Sequence, residues 1–267
     1  HRNGLAVSAG PLVEFRKEAL PHWLWLWQGD AHAILGLAVD WVRRVMTRYR
    51  GKIAVWHLIH RVGTHRFLGL SEDDQIGIAA RLFQTARQCD PHAQLVIDFE
   101  RPWAEWMGGP HTASLGPLYL ADSIARTDLS VSGIGLEIAP GYGPPGSMLH
   151  DLMDYSRLLD LYAQVNFPLH ITLAFPSHTG VDSHAFDPTV VVSERSWPDL
   201  PNEGLQQQWA TRWIALSAAK PFVRSITLAT PSDGEPHLFP HSGILRADGT
   251  PKPLFDWMQV FRRDYLQ

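Results

Sequence analysis

Six short, nearly unbroken apolar runs, separated by longer stretches of helical period, limit what this chain can fold into. The runs cover residues 4–13, 53–59, 95–99, 133–138, 169–175 and 223–230. A strand that is apolar on both faces must be covered on both faces, and a parallel sheet wrapped by helices does that. The alternation therefore predicts β/α units around a parallel sheet. The intervening stretches carry helix signals. Asp30 is placed to cap a helix that presents Ile34, Ala38, Trp41, Val45 and Tyr49 on one face, with Gly51 just past its end. Ser71 is placed to cap the next, which turns Ile76, Ala79, Phe83 and Ala86 inward and stops before Asp90-Pro91. Further helices fit residues 149–165, 205–219 and 253–261, the last with a proline in its first turn.

The connections from strand to helix are long, at residues 101–114, 139–147, 176–202 and 231–251, whereas those from helix to strand are short. In a (β/α)8 barrel the strand-to-helix loops build the functional face. The asymmetry predicts an α/β fold, a (β/α)8 TIM barrel with an elaborated top. Neither an internal repeat nor an interdomain linker is present, so residues 1–267 read as one domain. Composition narrows the partners. The 267 residues are 45% hydrophobic and 19% charged, with a net charge of −4 and no basic run, which predicts no nucleic-acid partner. No apolar stretch is long enough to span a bilayer, so no membrane partner is expected. The lone Cys89 excludes an internal disulfide. Nucleophile motifs built on Ser or Cys, phosphate-binding glycine loops and zinc-type Cys spacings are all missing.

One segment is more specific. Arg48-Tyr49-Arg50-Gly51-Lys52 followed by Trp56-His57-Leu58-Ile59-His60-Arg61 resembles the fourth-strand motif of glycoside hydrolase family 10, the endo-β-1,4-xylanases, which reads R-Y-x-G-K and then W-D-V-V-N-E. Further pieces follow in the family's order. Asp90-Pro91-His92-Ala93-Gln94-Leu95 resembles D-P-x-A-K-L, Ser132-Gly133-Ile134-Gly135-Leu136-Glu137 resembles D-G-I-G-L-Q, and Pro168-Leu169-His170-Ile171-Thr172-Leu173 resembles L-P-I-x-I-T-E. The run from Gly243 to Pro253 resembles G-L-L-D-x-D-x-x-P-K-P.

The resemblance implies a barrel represented from its third strand onward. The third-strand match is Leu12-Val13-Glu14-Phe15 with Leu20-Pro21-His22-Trp23. Two βα units would then lie upstream, and that segment or a partner chain would cover the open strand edges. It also implies a glycan as ligand, no cofactor, no metal, and an extracellular or periplasmic setting. The family's acid/base Glu falls on Arg61 and its nucleophile Glu on Leu173. Its third-strand Trp-His falls on Glu14 and Phe15, and its last-strand Trp on Ala229.

Side-chain alternation supplies other carboxylates. Leu95, Ile97 and Phe99 share one face of their strand, which leaves Asp98 and Glu100 on the other. The same logic turns Glu137 inward from the next strand. Glu137, paired with Asp98 or with Glu105, is the expected catalytic couple. Glu100, Glu14, His60, Arg61, Trp103, Trp106 and Asp233 are the expected substrate contacts. Two readings follow. One is a glycoside hydrolase that uses these non-standard carboxylates. The other is a catalytically inactive glycan-binding or assembly domain in which the acids balance Arg61, Arg101 and His60. In a regular strand His57 and His60 point to opposite faces, a poor arrangement for one metal ion. Asp233, Glu235, His237 and His241 in the last long loop either hold that loop together or touch a ligand. An extended Trp23–Trp27 segment would put Trp23, Trp25 and Trp27 on one face.

Overall fold

The computed structural model describes residues 6–63, 67–105, 116–126, 130–143 and 146–265. Strands and helices alternate: β1 (Ser8–Ala9), β2 (Val13–Glu14), α1 (Ala31–Tyr49), β3 (Val55–His60), α2 (Glu72–Cys89), β4 (Gln94–Glu100), α3 (Pro117–Ala125), β5 (Gly133–Ile138), α4 (Leu152–Ala163), β6 (Leu169–Leu173), α5 (Glu203–Ala218), β7 (Val223–Leu228) and α6 (Pro253–Tyr265). The chain forms two compact units. One is His1–Leu136 with Tyr162–Leu169, and the other is Glu137–Leu161 with His170–Gln267.

In the first unit β3 pairs in parallel with β1, β2 and β4. The chain entering β5 follows β4, with Ser132 N–H donating to Leu95 carbonyl at 2.8 Å. Leu95, Ile97 and Phe99 are buried, and so are Val96, Asp98 and Glu100, as expected of a strand covered on both sides. The first predicted strand is broken into β1 and β2 around Gly10-Pro11, and residues 4 and 5 of that prediction lie outside the described residues.

The two N-caps form as expected. Asp30 accepts from Ala33 N–H at 2.9 Å, and Ser71 with Asp74 makes a complete capping box. The buried face of α1 differs from the expectation. Ile34, Val42 and Met46 are buried, whereas Trp41 is 54% exposed and Tyr49 lies outward. The Trp41 indole N–H donates to Leu12 carbonyl at 2.9 Å, so the ring serves the loop after β1 rather than the core. On α2, Gln75 takes an inner place ahead of Ile76, because its side-chain oxygen accepts from Gly63 N–H at 3.0 Å. Residues His22–Trp27 form a 3-10 helix, so the alternation argument for the three tryptophans does not apply. Helix α3 was not expected, although Gly116-Pro117 at its start is an ordinary entry signal.

In the second unit the later part of β5 meets β6 and β6 meets β7, through Ala174 N–H to Ile138 carbonyl (3.1 Å) and Ala229 N–H to Leu173 carbonyl (2.9 Å). Trp213 of α5 is fully buried and stacks on Tyr155 of α4 at 4.0 Å between ring centroids, with Phe175 edge-on at 5.6 Å. Tyr155 and Ser217 hydroxyls lie 2.6 Å apart, which satisfies the buried phenol. A second cluster packs Tyr142, Val190, Leu238 and Phe239 beneath the loops. Strand β7 departs from the expectation of burial on both faces. It ends the strand order, Arg224 and Thr227 are exposed, and its remaining residues are only half-buried.

Register decides where the polar side chains of β3 point. Val55, Trp56 and His57 oppose Gln94, Leu95 and Val96, but Ile59 and His60 oppose Ile97 and Asp98. Leu58 is therefore an extra residue, a β-bulge that reverses the facing of everything after it. Across from Asp98, a methyl group added at Gly135 would lie 1.7 Å from Asp98 Oδ1. Gly135→Ala should cost about 1–3 kcal/mol by overpacking. Gly36→Ala, with nothing within 4 Å on α1, should gain about 0.5–1 kcal/mol. Thermal and urea unfolding of the two variants give the comparison, and equal effects would contradict the close approach at Gly135.

Candidate functional site

The polar residues of the first unit gather where β2, β3 and β4 end. The bulge at Leu58 brings His57 and His60 to the same side as Asp98 and Glu100. This corrects the expectation of opposed imidazoles, which assumed a regular strand. The register also sets Glu14 beside His60.

Each acid there has a basic partner. Asp98 receives His57 Nδ1 at 2.8 and 3.0 Å, one distance to each carboxylate oxygen. Burial works against a charge on His57, but the hydrogen bond and charge of Asp98 outweigh it and lift the imidazole above its ordinary value. Glu14 meets Arg16 Nη2 at 2.6 Å and His60 Nδ1 at 3.3 Å. Burial alone would raise the Glu14 carboxyl. The bond and charge of His60, with Arg16, outweigh burial and hold it at about 2, against an ordinary 4.5.

Glu100 is the most enclosed of these acids. Arg61 grips its Oε2 through Nε and Nη2, and Arg101 Nη2 reaches its Oε1 at 2.6 Å. Burial would raise this carboxyl too, yet the two guanidinium charges hold it below the usual carboxylate range. Arg61 (φ 67°) and Arg101 (φ 48°) both adopt left-handed backbone, at a cost of order 1 kcal/mol each. That strain turns each strand end so that its arginine can close on Glu100. A general acid must be protonated at working pH. Glu14 and Glu100 are held ionised, and neither can serve as one near neutrality.

Trp103 and Glu105 lie half-buried in the turn after β4, which is fixed by Ala104 N–H to Arg101 carbonyl (2.9 Å) and Tyr162 hydroxyl to Pro102 carbonyl (3.1 Å). Trp106 lies outside the described residues. Glu137 belongs to the second unit and is half-buried on β5, whereas Asp98 and Glu105 belong to the first. Asp233 is also in the second unit, where Lys252 Nζ (2.5 Å) and Gly243 N–H (2.7 Å) occupy its two oxygens. Sequence reasoning missed Arg16 and the His57–Asp98 pair. The first had a signal in the spacing Glu14-x-Arg16, and the second was hidden by the bulge.

No protein-family model matches this chain. Solved structures do. Native xylanase 10B from Thermotoga maritima aligns with a TM-score of 0.66 at 16% identity, over 97% of this chain and 75% of that one. Xylanase 10B from Thermotoga petrophila RKU-1 in complex with xylobiose gives 0.68 at 15%, over 100% and 76%. A GH10 structure from Paenibacillus barcinonensis gives 0.67 at 16%, over 97% and 77%. The likeness is one of fold. The chain has the parallel α/β architecture of these family 10 barrels, over about three quarters of their length. Fold alone carries no chemistry. Among the described residues, no helix is long and apolar enough to cross a membrane.

Two outcomes test the charge network. Arg61→Met should lower the unfolding free energy in urea by about 3 kcal/mol, because Glu100 loses half of its clamp while buried, and adding Glu100→Leu should restore most of the loss. An Arg61→Met protein as stable as the parent would remove the clamp as a stabilising element. Glu14, with its folded pKa depressed, contributes stability that is fully present above 4.5 and lost as pH falls toward 2. Glu14→Gln should flatten that acid limb by an amount on the order of 2–3 kcal/mol, read from urea midpoints across the window.

Proposed function

We propose that this chain is a carbohydrate-binding relative of the family 10 glycoside hydrolases that does not cleave glycosidic bonds with the acids at the ends of β2 and β4. The observation that carries this reading is the double-arginine clamp on Glu100, joined by the pairing of Glu14 and Asp98 with basic side chains. Retaining hydrolysis needs two carboxyl groups about 5–5.5 Å apart, one free to attack and one able to give a proton. Acids committed to arginine and histidine meet neither need. The motif resemblance points the same way. It sets Arg61 at the family's acid/base position and Leu173, fully buried on β6, at the nucleophile position.

Xylo-oligosaccharides are the first ligands to try, since one of the similar proteins was solved with xylobiose. Trp103, half-buried and beside the clamp in sequence, is the aromatic side chain to test against a sugar ring. A second reading rests on Glu137, which is half-buried on a strand that is otherwise buried. In that reading Glu137 works with Asp98 or Glu105 as a relocated catalytic couple. One experiment separates the two. Purified protein is incubated with xylan and a panel of β-linked oligosaccharides, while reducing ends and calorimetric binding are followed together. The expected result is saturable binding that weakens about tenfold in Trp103→Ala, with no reducing ends released. Turnover that disappears in Glu137→Gln would establish the hydrolase instead, and failure to bind any glycan would overturn both.

A further inference from the structure

Two long loops of the second unit are tied at one carboxylate. Asp182, whose side chain is 4% exposed, accepts from His184 N–H through Oδ1 (2.9 Å) and from His241 N–H through Oδ2 (2.8 Å). Two imidazoles face the same Oδ2, His237 through Nε2 at 2.9 Å and His241 through Nδ1 at 3.5 Å. Asp233 brings a carboxylate oxygen within 4.8 Å of the ligand atoms of Asp182 and His237.

The opposite nitrogen of each ring meets a backbone carbonyl, His237 Nδ1 at Glu235 (2.7 Å) and His241 Nε2 at Gly180 (2.8 Å). A carbonyl oxygen only accepts, so those two nitrogens carry the ring hydrogens. In neutral rings the remaining nitrogens are then bare lone pairs, and both point at a carboxylate oxygen. A cation among them turns that repulsion into attraction. Imidazole bonded through its far nitrogen to a carbonyl is also the support that orients metal-ligating histidines. The spacing fits as well. With metal–ligand bonds of about 2.0–2.2 Å, a tetrahedral ion holds neighbouring ligand atoms roughly 3.3 Å apart. His237 Nε2 and Asp182 Oδ2 lie 2.9 Å apart, near that value, and an Asp233 oxygen falls within 4.8 Å of the ligand atoms of both.

We propose that Asp182, His237 and Asp233 form a site for a zinc-like divalent transition-metal ion that fastens the loop at residues 176–202 to the loop at residues 231–251. An imidazole among the ligands favours such an ion over calcium or magnesium, which take oxygen shells. Lys252, 2% exposed, and Gly243 N–H hold Asp233 in orientation, and the carboxylate divides its charge between the lysine and the ion. The role is that of a loop fastener.

The test uses the full chain, stripped with a chelator and titrated with Zn2+ by calorimetry and with Co2+ by visible absorption. One ion per chain is expected, at micromolar or tighter dissociation constant, with a higher melting temperature when loaded. Asp182→Asn, His237→Gln and Asp233→Asn should each weaken binding by at least about tenfold. His32→Gln, an exposed histidine on α1, should leave it unchanged and guards against scattered binding among the 14 histidines. Circular dichroism of the stripped variants checks folding. Should a buried-position variant unfold, the more exposed Asp233→Asn decides. Uptake below one equivalent, or equal weakening by His32→Gln, overturns the site. So does an affinity that none of the three ligand variants alters.

Discussion

A carboxylate taken out of water must find a positive partner, and that constraint organises the ends of β2, β3 and β4. Removing one member of such a buried pair leaves an uncompensated charge, at a cost of about 3–5 kcal/mol. Glu100 therefore has two arginines, Glu14 an arginine and a histidine, and Asp98 a histidine. The left-handed backbone at Arg61 and Arg101 follows from the same requirement, since each strand must turn sharply to deliver its guanidinium. Gly135 follows as well, because Asp98 occupies the space where a side chain would begin.

Such a network is well suited to holding a shape and poorly suited to turnover. Catalytic acids and bases are useful when their protonation changes near working pH. Here the partners lower both Glu14 and Glu100, away from that range. In the second unit the same economy of charge reappears in the loops, where buried Lys252 meets Asp233.

Much of the fold could be read from apolar runs and caps. Asp30 and Ser71 announced α1 and α2 because a capping side chain acts within four residues and depends on nothing distant. The errors arose where a distant group intervened. Trp41 looked like core and instead reaches out to Leu12, and Gln75, which was not among the residues expected on the inner face of α2, is drawn inward by Gly63. Candidate acids were found by simple alternation on β4, which is regular. Their partners were harder to see, because Arg16 lies past a strand end and His57 lies before a bulge. The convergence of His237 and His241 on Asp182 was not readable at all, since it joins residues from two loops.

The extra residue at Leu58 has a consequence for how positions are compared between this chain and its structural relatives. Counted by side chains on the Asp98 face, β3 runs Val55, His57, His60, so the third member is His60 and not Ile59. A column-by-column alignment with an unbulged strand would assign each residue after Leu58 the role of its neighbour. Equivalence along this strand is a matter of phase. Any functional residue carried across it has to be matched by the direction it faces, with its sequence number taken second.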